Sequence, residues 1–145
     1  MNPKNRSLLA TALLVACVVV LLQRGALIGG RYVALGLQLL AIALMVWARL
    51  TFGMRSFHAT ANPTAGGLVT AGPYRYWRHP IYASIIYFVW AGQVQAPGAI
   101  PLALAATVSL GLGARMLLEE RFLTRAYPEY PQYAKTAKRL IPFVY

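Results

Sequence analysis

The stretch Gly72–Tyr82 reads G-P-Y-R-Y-W-R-H-P-I-Y and separates long apolar segments. It contains two arginines, one of the two histidines of the chain, four aromatic residues and two prolines. Charged side chains near a bilayer cost free energy, and they therefore indicate a functional site. We interpret this cluster as one half of a binding pocket, and we expect Glu119 and Glu120 to form the other half.

The composition indicates a membrane protein. Of the 145 residues, 59% are hydrophobic and only 12% are charged, whereas charged residues make up about 25% of an ordinary soluble domain. This apolar surplus exceeds what a soluble core of this size can bury. We therefore predict an all-α, polytopic membrane helical bundle in a single domain over residues 1–145, with two spans and a loop in residues 1–67 and a core in residues 68–145.

The charge and the few potential metal ligands narrow the function classes. A net charge of +11 arises from 14 Lys and Arg residues against 3 Asp and Glu residues. Because the basic residues are spread between apolar segments, we expect an anionic membrane surface as the partner and no nucleic acid. Cys17 is the single cysteine and His58 lies far from His79 in the sequence, so we predict no disulfide and no metal site.

The apolar segments predict about four transmembrane helices. At 1.5 Å per residue, the first reaches about 24 Å, slightly less than the hydrocarbon core. The residues after the fourth segment, Glu119–Tyr145, are predicted to form an amphipathic interfacial tail. The four predicted spans are Ser7–Leu22, Tyr32–Phe52, Ile81–Ala96 and Ala99–Leu118.

The distribution of basic residues predicts the topology. If the N-terminus is cytoplasmic, only Arg24 and Arg31 lie outside, as the positive-inside rule favours. We therefore expect a bacterial inner (cytoplasmic) membrane protein with both termini and the site on the cytoplasmic side. This topology places Arg78 and His79 at the same membrane surface as Glu119 and Glu120, at the two ends of one helical hairpin. The two charged patches can then face each other.

The two acids are expected to have different partners. Adjacent residues on a helix point about 100° apart, so one carboxylate can face a pocket while the other pairs with Arg115 or with an arginine of the cluster. The alternative is that these ion pairs only tether helices and that the aromatic residues form an ordinary interfacial belt.

Several short motifs, taken in this order, resemble the isoprenylcysteine carboxyl methyltransferase and phospholipid methyltransferase family. The likeness covers Leu68–Tyr145, and the combination is more specific than any single motif. It implies an integral membrane, S-adenosylmethionine-dependent methyltransferase with a methyltransferase-like core in residues 68–145. The motifs are R-H-P-I-Y at Arg78–Tyr82, E-E at Glu119–Glu120, Tyr133, and R-L-I-P at Arg139–Pro142.

The resemblance also implies roles for individual residues. A glutamate can accept hydrogen bonds from the ribose hydroxyls or amino group of S-adenosylmethionine, while Tyr82 or Trp77 can line its adenine. A carboxylate acceptor would need an arginine to orient it, whereas an amine acceptor would need a glutamate as base. The catalytic residues implied are Arg78 and Glu120, and the cofactor-binding residues are His79, Pro80, Tyr82, Glu119 and Glu120.

Two positions depart from the family pattern, and other functions stay open. Ser84 stands where a glycine is common, and Tyr127-Pro128 replaces the usual F-G. The expected partners are a lipophilic small-molecule or lipid substrate and a second copy in a homodimer. The alternatives are a membrane reductase of the sterol reductase type that uses NADPH, a small transporter, and a non-enzymatic membrane protein.

Overall fold

The described part of the chain is helical. The computed structural model describes residues 3–53 and 67–141, and for residues 3–8 it describes the backbone only. Most of the predicted loop Gly53–Ala71, including His58, lies outside these ranges, as does Pro142. The described helices are α1 (Pro3–Gln23), α2 (Tyr32–Phe52), α3 (Pro80–Gln93), α4 (Ala99–Ala126) and α5 (Tyr130–Thr136), with a 3₁₀ turn at Gly72–Arg75.

The helices confirm the predicted all-α class. Within the described ranges, the backbone pairs as in a strand only at an isolated bridge between Trp77 and Lys138. Helix α2 has the predicted bounds, and α3 begins at Pro80, where the missing N–H of proline leaves no hydrogen bond unmade. Helix α1 ends before Gly25, whose φ of +64° allows the N–H of Ala26 to reach the carbonyl of Leu21 at 2.9 Å.

Helix α4 is longer than predicted, because it continues past Leu118 to Ala126. Its 28 residues extend about 42 Å. Glu119 and Glu120 therefore lie inside the helix, where they do not oppose the negative end of its dipole. Helix α3 is shorter than predicted and ends at Gln93, where turn hydrogen bonds at Val94 and Gln95 replace the helical ladder.

The predicted number of about four spans is not confirmed. Two described helices, Tyr32–Phe52 and Ala99–Ala126, are long and apolar enough to cross a membrane. The apolar segment Leu9–Gln23 is shorter, and α3, with 14 residues, extends about 21 Å against a hydrocarbon core of about 30 Å. Exposed side chains such as Leu40 and Leu110 give these helices the apolar outer surface typical of membrane helices.

The described contacts form two compact units. The first comprises Met1–Leu39 and Ile86–Gly113. In it, three glutamine side chains satisfy the backbone of the connection between α1 and α2. Gln38 accepts from the N–H of Gly29 at 2.9 Å, and Gln93 donates to the carbonyl of Ala26 at 3.1 Å. Gln95 accepts from the N–H of Gly30. The side-chain amides thus form hydrogen bonds with backbone groups that would otherwise need water as a partner.

The second unit comprises Leu40–Ile85 and Ala114–Tyr145. In it, the C-terminal segment runs alongside the polar cluster and holds it by backbone hydrogen bonds. The N–H of Arg78 donates to the carbonyl of Lys138 at 2.6 Å, and the N–H of Lys138 donates to the carbonyl of Tyr76 at 3.0 Å. The N–H of His79 donates to the carbonyl of Arg139 at 3.3 Å. These bonds orient Arg78 and His79 before α3 begins.

Replacing Gly92 by alanine should destabilise the first unit. A Cβ at Gly92 would lie 2.5 Å from the carbonyl oxygen of Ala26 and 2.6 Å from that of Leu27, and backbone cannot rotate away as a side chain can. We expect Gly92→Ala to lower the free energy of unfolding by about 1–3 kcal/mol, measured by thermal unfolding in detergent.

The matched control is Gly36→Ala in α2, where a Cβ would meet no atom within 4 Å. Alanine is a better helix former than glycine, so this variant should be as stable as the wild type or more stable by up to about 1 kcal/mol. Equal losses in both variants would contradict the close packing at Gly92.

Candidate functional site

The centre of the candidate site is the carboxylate of Glu120 on α4. Its Oε1 lies 3.0 Å from Nη1 of Arg78 and 3.3 Å from Nε2 of His79. Its Oε2 lies 3.0 Å from Nη2 of Arg139, and Nε of Arg139 donates to Oε2 at 3.0 Å. Glu120 is 8% exposed, so these partners stabilise a buried carboxylate.

The contacts of Glu120 define the roles of its neighbours. An ionised carboxylate only accepts hydrogen bonds, so the Nε2 of His79 must carry the proton in this pair. Arg139 offers two nitrogen atoms to one carboxylate, the arrangement that gives arginine its geometric specificity. One side chain of α4 thereby joins the segment before α3 to the C-terminal segment.

A second group of contacts surrounds Glu119. The hydroxyl of Tyr82 on α3 donates to Oε2 of Glu119 at 2.8 Å, and Nε of Arg115 donates to the same hydroxyl at 3.2 Å. The ring of Tyr82 stacks on the imidazole of His79, with centroids 5.6 Å apart and planes inclined by 21°. The stack connects the Glu119 group to the Glu120 group.

The structure brings together the residues that the sequence analysis selected. Glu119 and Glu120 have different partners. Of the two pairings that the sequence analysis left open, with Arg115 or with an arginine of the cluster, Glu120 forms the second, with Arg78. Arg115 donates to the hydroxyl of Tyr82. Pro80 is buried at the start of α3. The catalytic and cofactor-binding roles assigned to these residues stay predictions.

Ser84, the departure from the family pattern, is buried in the second unit. Its side chain is 1% exposed and donates to the carbonyl of Ile81 at 2.7 Å, within its own helix. It also lies 3.7 Å from the sulfur of Met45. Ser84 thus takes part in packing between α2 and α3.

Two tyrosines of α5 contribute to this region and were assigned no site role from the sequence. The hydroxyl of Tyr133 donates to the carbonyl of Tyr74 at 2.6 Å, and the rings of Tyr130 and Tyr133 meet edge to face at 5.9 Å. Tyr130 is 3% exposed. The three-residue spacing in Y-P-Q-Y, which places both rings on one helix face, is the signal that could have revealed them.

Burial controls the ionisation of these tyrosines. Desolvation raises the pKa of Tyr130 to about 12; the charge of Glu120 adds to this rise and the charge of Arg78 opposes it. Burial likewise raises the pKa of Tyr74 and of Tyr133 above the ordinary value. All three hydroxyls therefore keep their protons at physiological pH and can act as hydrogen-bond donors.

The sequence comparisons identify the family. Residues 34–125 match the isoprenylcysteine carboxyl methyltransferase family, and since this match covers more than half of the chain, the chain belongs to that family. The family predicted from the motifs is confirmed, and the predicted enzyme class is the class of this family. Members of the family are integral membrane proteins and use S-adenosylmethionine.

Two curated relatives match part of the chain. The cobalt-zinc-cadmium resistance protein CzcN of Cupriavidus metallidurans is 34% identical over 76 residues, which are 52% of this chain and 35% of that protein. Methanethiol S-methyltransferase 1 of Bradyrhizobium diazoefficiens is 37% identical over 71 residues, which are 48% of this chain and 24% of that protein. The matches therefore span about a third or less of these relatives' lengths, and no solved structure matches the chain.

Removing the charge of Glu120 should destabilise the second unit. Glu120→Gln leaves Arg78 and Arg139 without the carboxylate that both contact, and breaking a buried pair in this way costs about 3 kcal/mol. Thermal or denaturant unfolding in detergent should show this loss.

Glu129→Gln is the matched control. Glu129 is exposed and precedes α5 without a capping hydrogen bond from its side chain. The free energy of unfolding of this variant should therefore differ from that of the wild type by less than about 0.5 kcal/mol. An equally small effect of Glu120→Gln would show that the contacts of Glu120 do not stabilise the fold.

Proposed function

We propose that the protein is an integral membrane methyltransferase that transfers a methyl group from S-adenosylmethionine to a lipophilic acceptor. The observation that carries the proposal is the convergence, within a chain of this family, of the R-H-P-I-Y residues with the E-E pair. Arg78, His79 and Tyr82 all contact an acid of that pair.

The side chains present fit the chemical groups of S-adenosylmethionine. The carboxylate of Glu119 can accept hydrogen bonds from an ammonium group or from ribose hydroxyls. Arg78 and His79 supply donors for a carboxylate, and the stacked rings of His79 and Tyr82 offer an aromatic surface for adenine. When bound, the cofactor supplies a methyl group activated by its sulfonium, and Pro80 would contribute through the turn into α3.

Glu120 would act by positioning its neighbours. Its carboxylate is already shared by Arg78, His79 and Arg139, so it holds these cations in fixed positions. Arg78 would then present its remaining donors to the acceptor, and orientation of this kind can lower a barrier substantially. Glu120 thereby serves catalysis through Arg78.

The charge of the site favours an acceptor that reacts as an anion. Arg78 and Arg139 contact the carboxylate of Glu120, and Arg115 donates to the Tyr82 hydroxyl that donates to Glu119. These three guanidinium groups and two carboxylates carry a formal net charge of +1. A carboxylate acceptor of the isoprenylcysteine type balances this charge, whereas a protonated phospholipid amine would increase it. The relative named for methanethiol would also fit, since a thiol reacts as its thiolate.

The proposed location is a bacterial cytoplasmic membrane, with the site at the cytoplasmic surface. This proposal is supported by the two long apolar helices and by the surplus of basic residues near the predicted cytoplasmic segments. A lipophilic substrate could reach such a site from the bilayer. The homodimer stays a prediction.

Cofactor binding tests the proposal directly. S-adenosylhomocysteine should raise the thermal midpoint of the purified protein in detergent, and NADPH should not, since a reductase of the sterol type would show the reverse. Glu119→Gln removes a charged acceptor and should weaken binding of S-adenosylhomocysteine about tenfold, measured by calorimetric titration. Glu129→Gln, at the exposed start of α5, serves as control.

The outcome that would overturn the proposal is a wild-type protein whose midpoint is unchanged by S-adenosylhomocysteine. With binding established, a lipophilic carboxylate should accept a methyl group from labelled S-adenosylmethionine, and a phospholipid amine should not. The opposite preference would contradict the proposed anionic acceptor.

A further inference from the structure

Three side chains of the second unit form a series of hydrogen bonds that has one direction. Nε of Arg115 donates to the hydroxyl of Tyr82 at 3.2 Å, and that hydroxyl donates to Oε2 of Glu119 at 2.8 Å. An arginine only donates and an ionised carboxylate only accepts, whereas a tyrosine hydroxyl does both and rotates to suit its partners. The series therefore runs from Arg115 through Tyr82 to Glu119 and cannot reverse.

Arg115 determines where the proton of the Tyr82 hydroxyl points. A hydroxyl that accepts from a guanidinium N–H cannot turn its single proton toward that group, so the proton is directed to the carboxylate. A charged donor also polarises the hydroxyl and strengthens the bond that the hydroxyl donates. Arg115 lies outside the R-H-P-I-Y and E-E motifs, and the family resemblance assigns it no role.

The register of α4 makes this arrangement possible. Arg115 and Glu119 are four residues apart, so they lie on one face of the helix, one turn from each other. Tyr82 reaches that face from α3, and its ring stacks on the imidazole of His79. Because both the ring and the hydroxyl of Tyr82 have partners, Glu119 meets a donor that is held in position.

Glu119 is the acid of the E-E pair that is more accessible to a ligand. It is half-buried, whereas Glu120 is 8% exposed and is shared by two arginines and a histidine. The hydroxyl of Tyr82 occupies Oε2 of Glu119 and so restrains the rotation of this carboxylate. A carboxylate that is already restrained loses less entropy when it accepts hydrogen bonds from a ligand.

We propose that Arg115 is a positioning residue for cofactor binding. It directs the Tyr82 hydroxyl to Glu119, and the restrained carboxylate of Glu119 then accepts from the ribose hydroxyls or the ammonium group of the cofactor. The inference rests on the proposed function, because it takes S-adenosylmethionine as the cofactor. Arg115 acts through Tyr82, so its effect on binding should depend on the Tyr82 hydroxyl.

Two substitutions at Arg115 separate loss of the hydrogen bond from loss of the charge. Arg115→Met has no donor and should weaken binding of S-adenosylhomocysteine about tenfold, measured by calorimetric titration in detergent. Arg115→Gln is uncharged, but its amide N–H lies as many bonds from the backbone as Nε of arginine, so it should bind within about threefold of the wild type. The matched control is Arg121→Met, which removes an exposed arginine of the same helix and should change the dissociation constant by less than about twofold.

The background Tyr82→Phe shows whether Arg115 acts through the hydroxyl. Tyr82→Phe should itself weaken binding about tenfold, and adding Arg115→Met should then weaken it by less than about a further twofold. A residue that only stabilised α4 would weaken binding by the same factor in both backgrounds, and glutamine in its place would not restore binding.

The inference is overturned if Arg115→Gln binds as weakly as Arg115→Met, or if Arg115→Met has the same effect with and without the Tyr82 hydroxyl. If Arg115→Met does not fold, Arg115→Gln decides the question: a variant that also fails to fold, or that binds more than about threefold more weakly than the wild type, overturns the inference. Unchanged binding in Arg115→Met removes the role of Arg115 and leaves the proposed cofactor in place. A wild type that does not bind S-adenosylhomocysteine overturns the proposed function and this inference with it.

Discussion

The carboxylate of Glu120 is the group on which the arrangement of the site depends. A carboxylate that is 8% exposed must be paired, and here two guanidinium groups and one imidazole surround it. Its partners come from the segment before α3 and from the C-terminal segment, 41 positions away in the case of His79 and 19 in the case of Arg139. Because an unpaired buried carboxylate would cost free energy, Glu120 favours a fold in which the segment before α3 and the C-terminal segment both contact α4.

Much of this organisation is predictable from the sequence because it follows from local chemistry. Tyr32–Phe52 is an unbroken apolar run and forms α2 with the predicted bounds, and Pro80 begins α3. The convergence of Arg78 with Glu120 follows from helix length and charge, since a hairpin brings its two ends together. The family assignment follows from the order and spacing of the same motifs.

The remaining features depend on tertiary contacts that no local pattern reveals. The polar residues after Leu118 predict the end of a span, yet α4 continues to Ala126, and its two acids are paired by Arg78, Arg139 and Tyr82. The pairing of Trp77 with Lys138 uses backbone groups, which every residue possesses. The tail that contains Tyr130 is predicted to be interfacial, since sequence alone does not reveal that the hydroxyl of Tyr130 is buried.

The site combines cations in fixed positions with buried aromatic side chains. Glu120 holds Arg78 and Arg139 in place, the stack of His79 and Tyr82 connects them to Glu119, and α5 adds a buried hydroxyl. Under the proposed function, cations held in this way would reduce the reorganisation that methyl transfer requires. The most direct measurement is a double-mutant cycle with Glu120→Gln and Arg139→Gln, read as the dissociation constant for S-adenosylhomocysteine. If the carboxylate organises the site through Arg139, the two losses in binding free energy should fail to add by about 1 kcal/mol or more, and losses that add within about 0.5 kcal/mol would contradict the account.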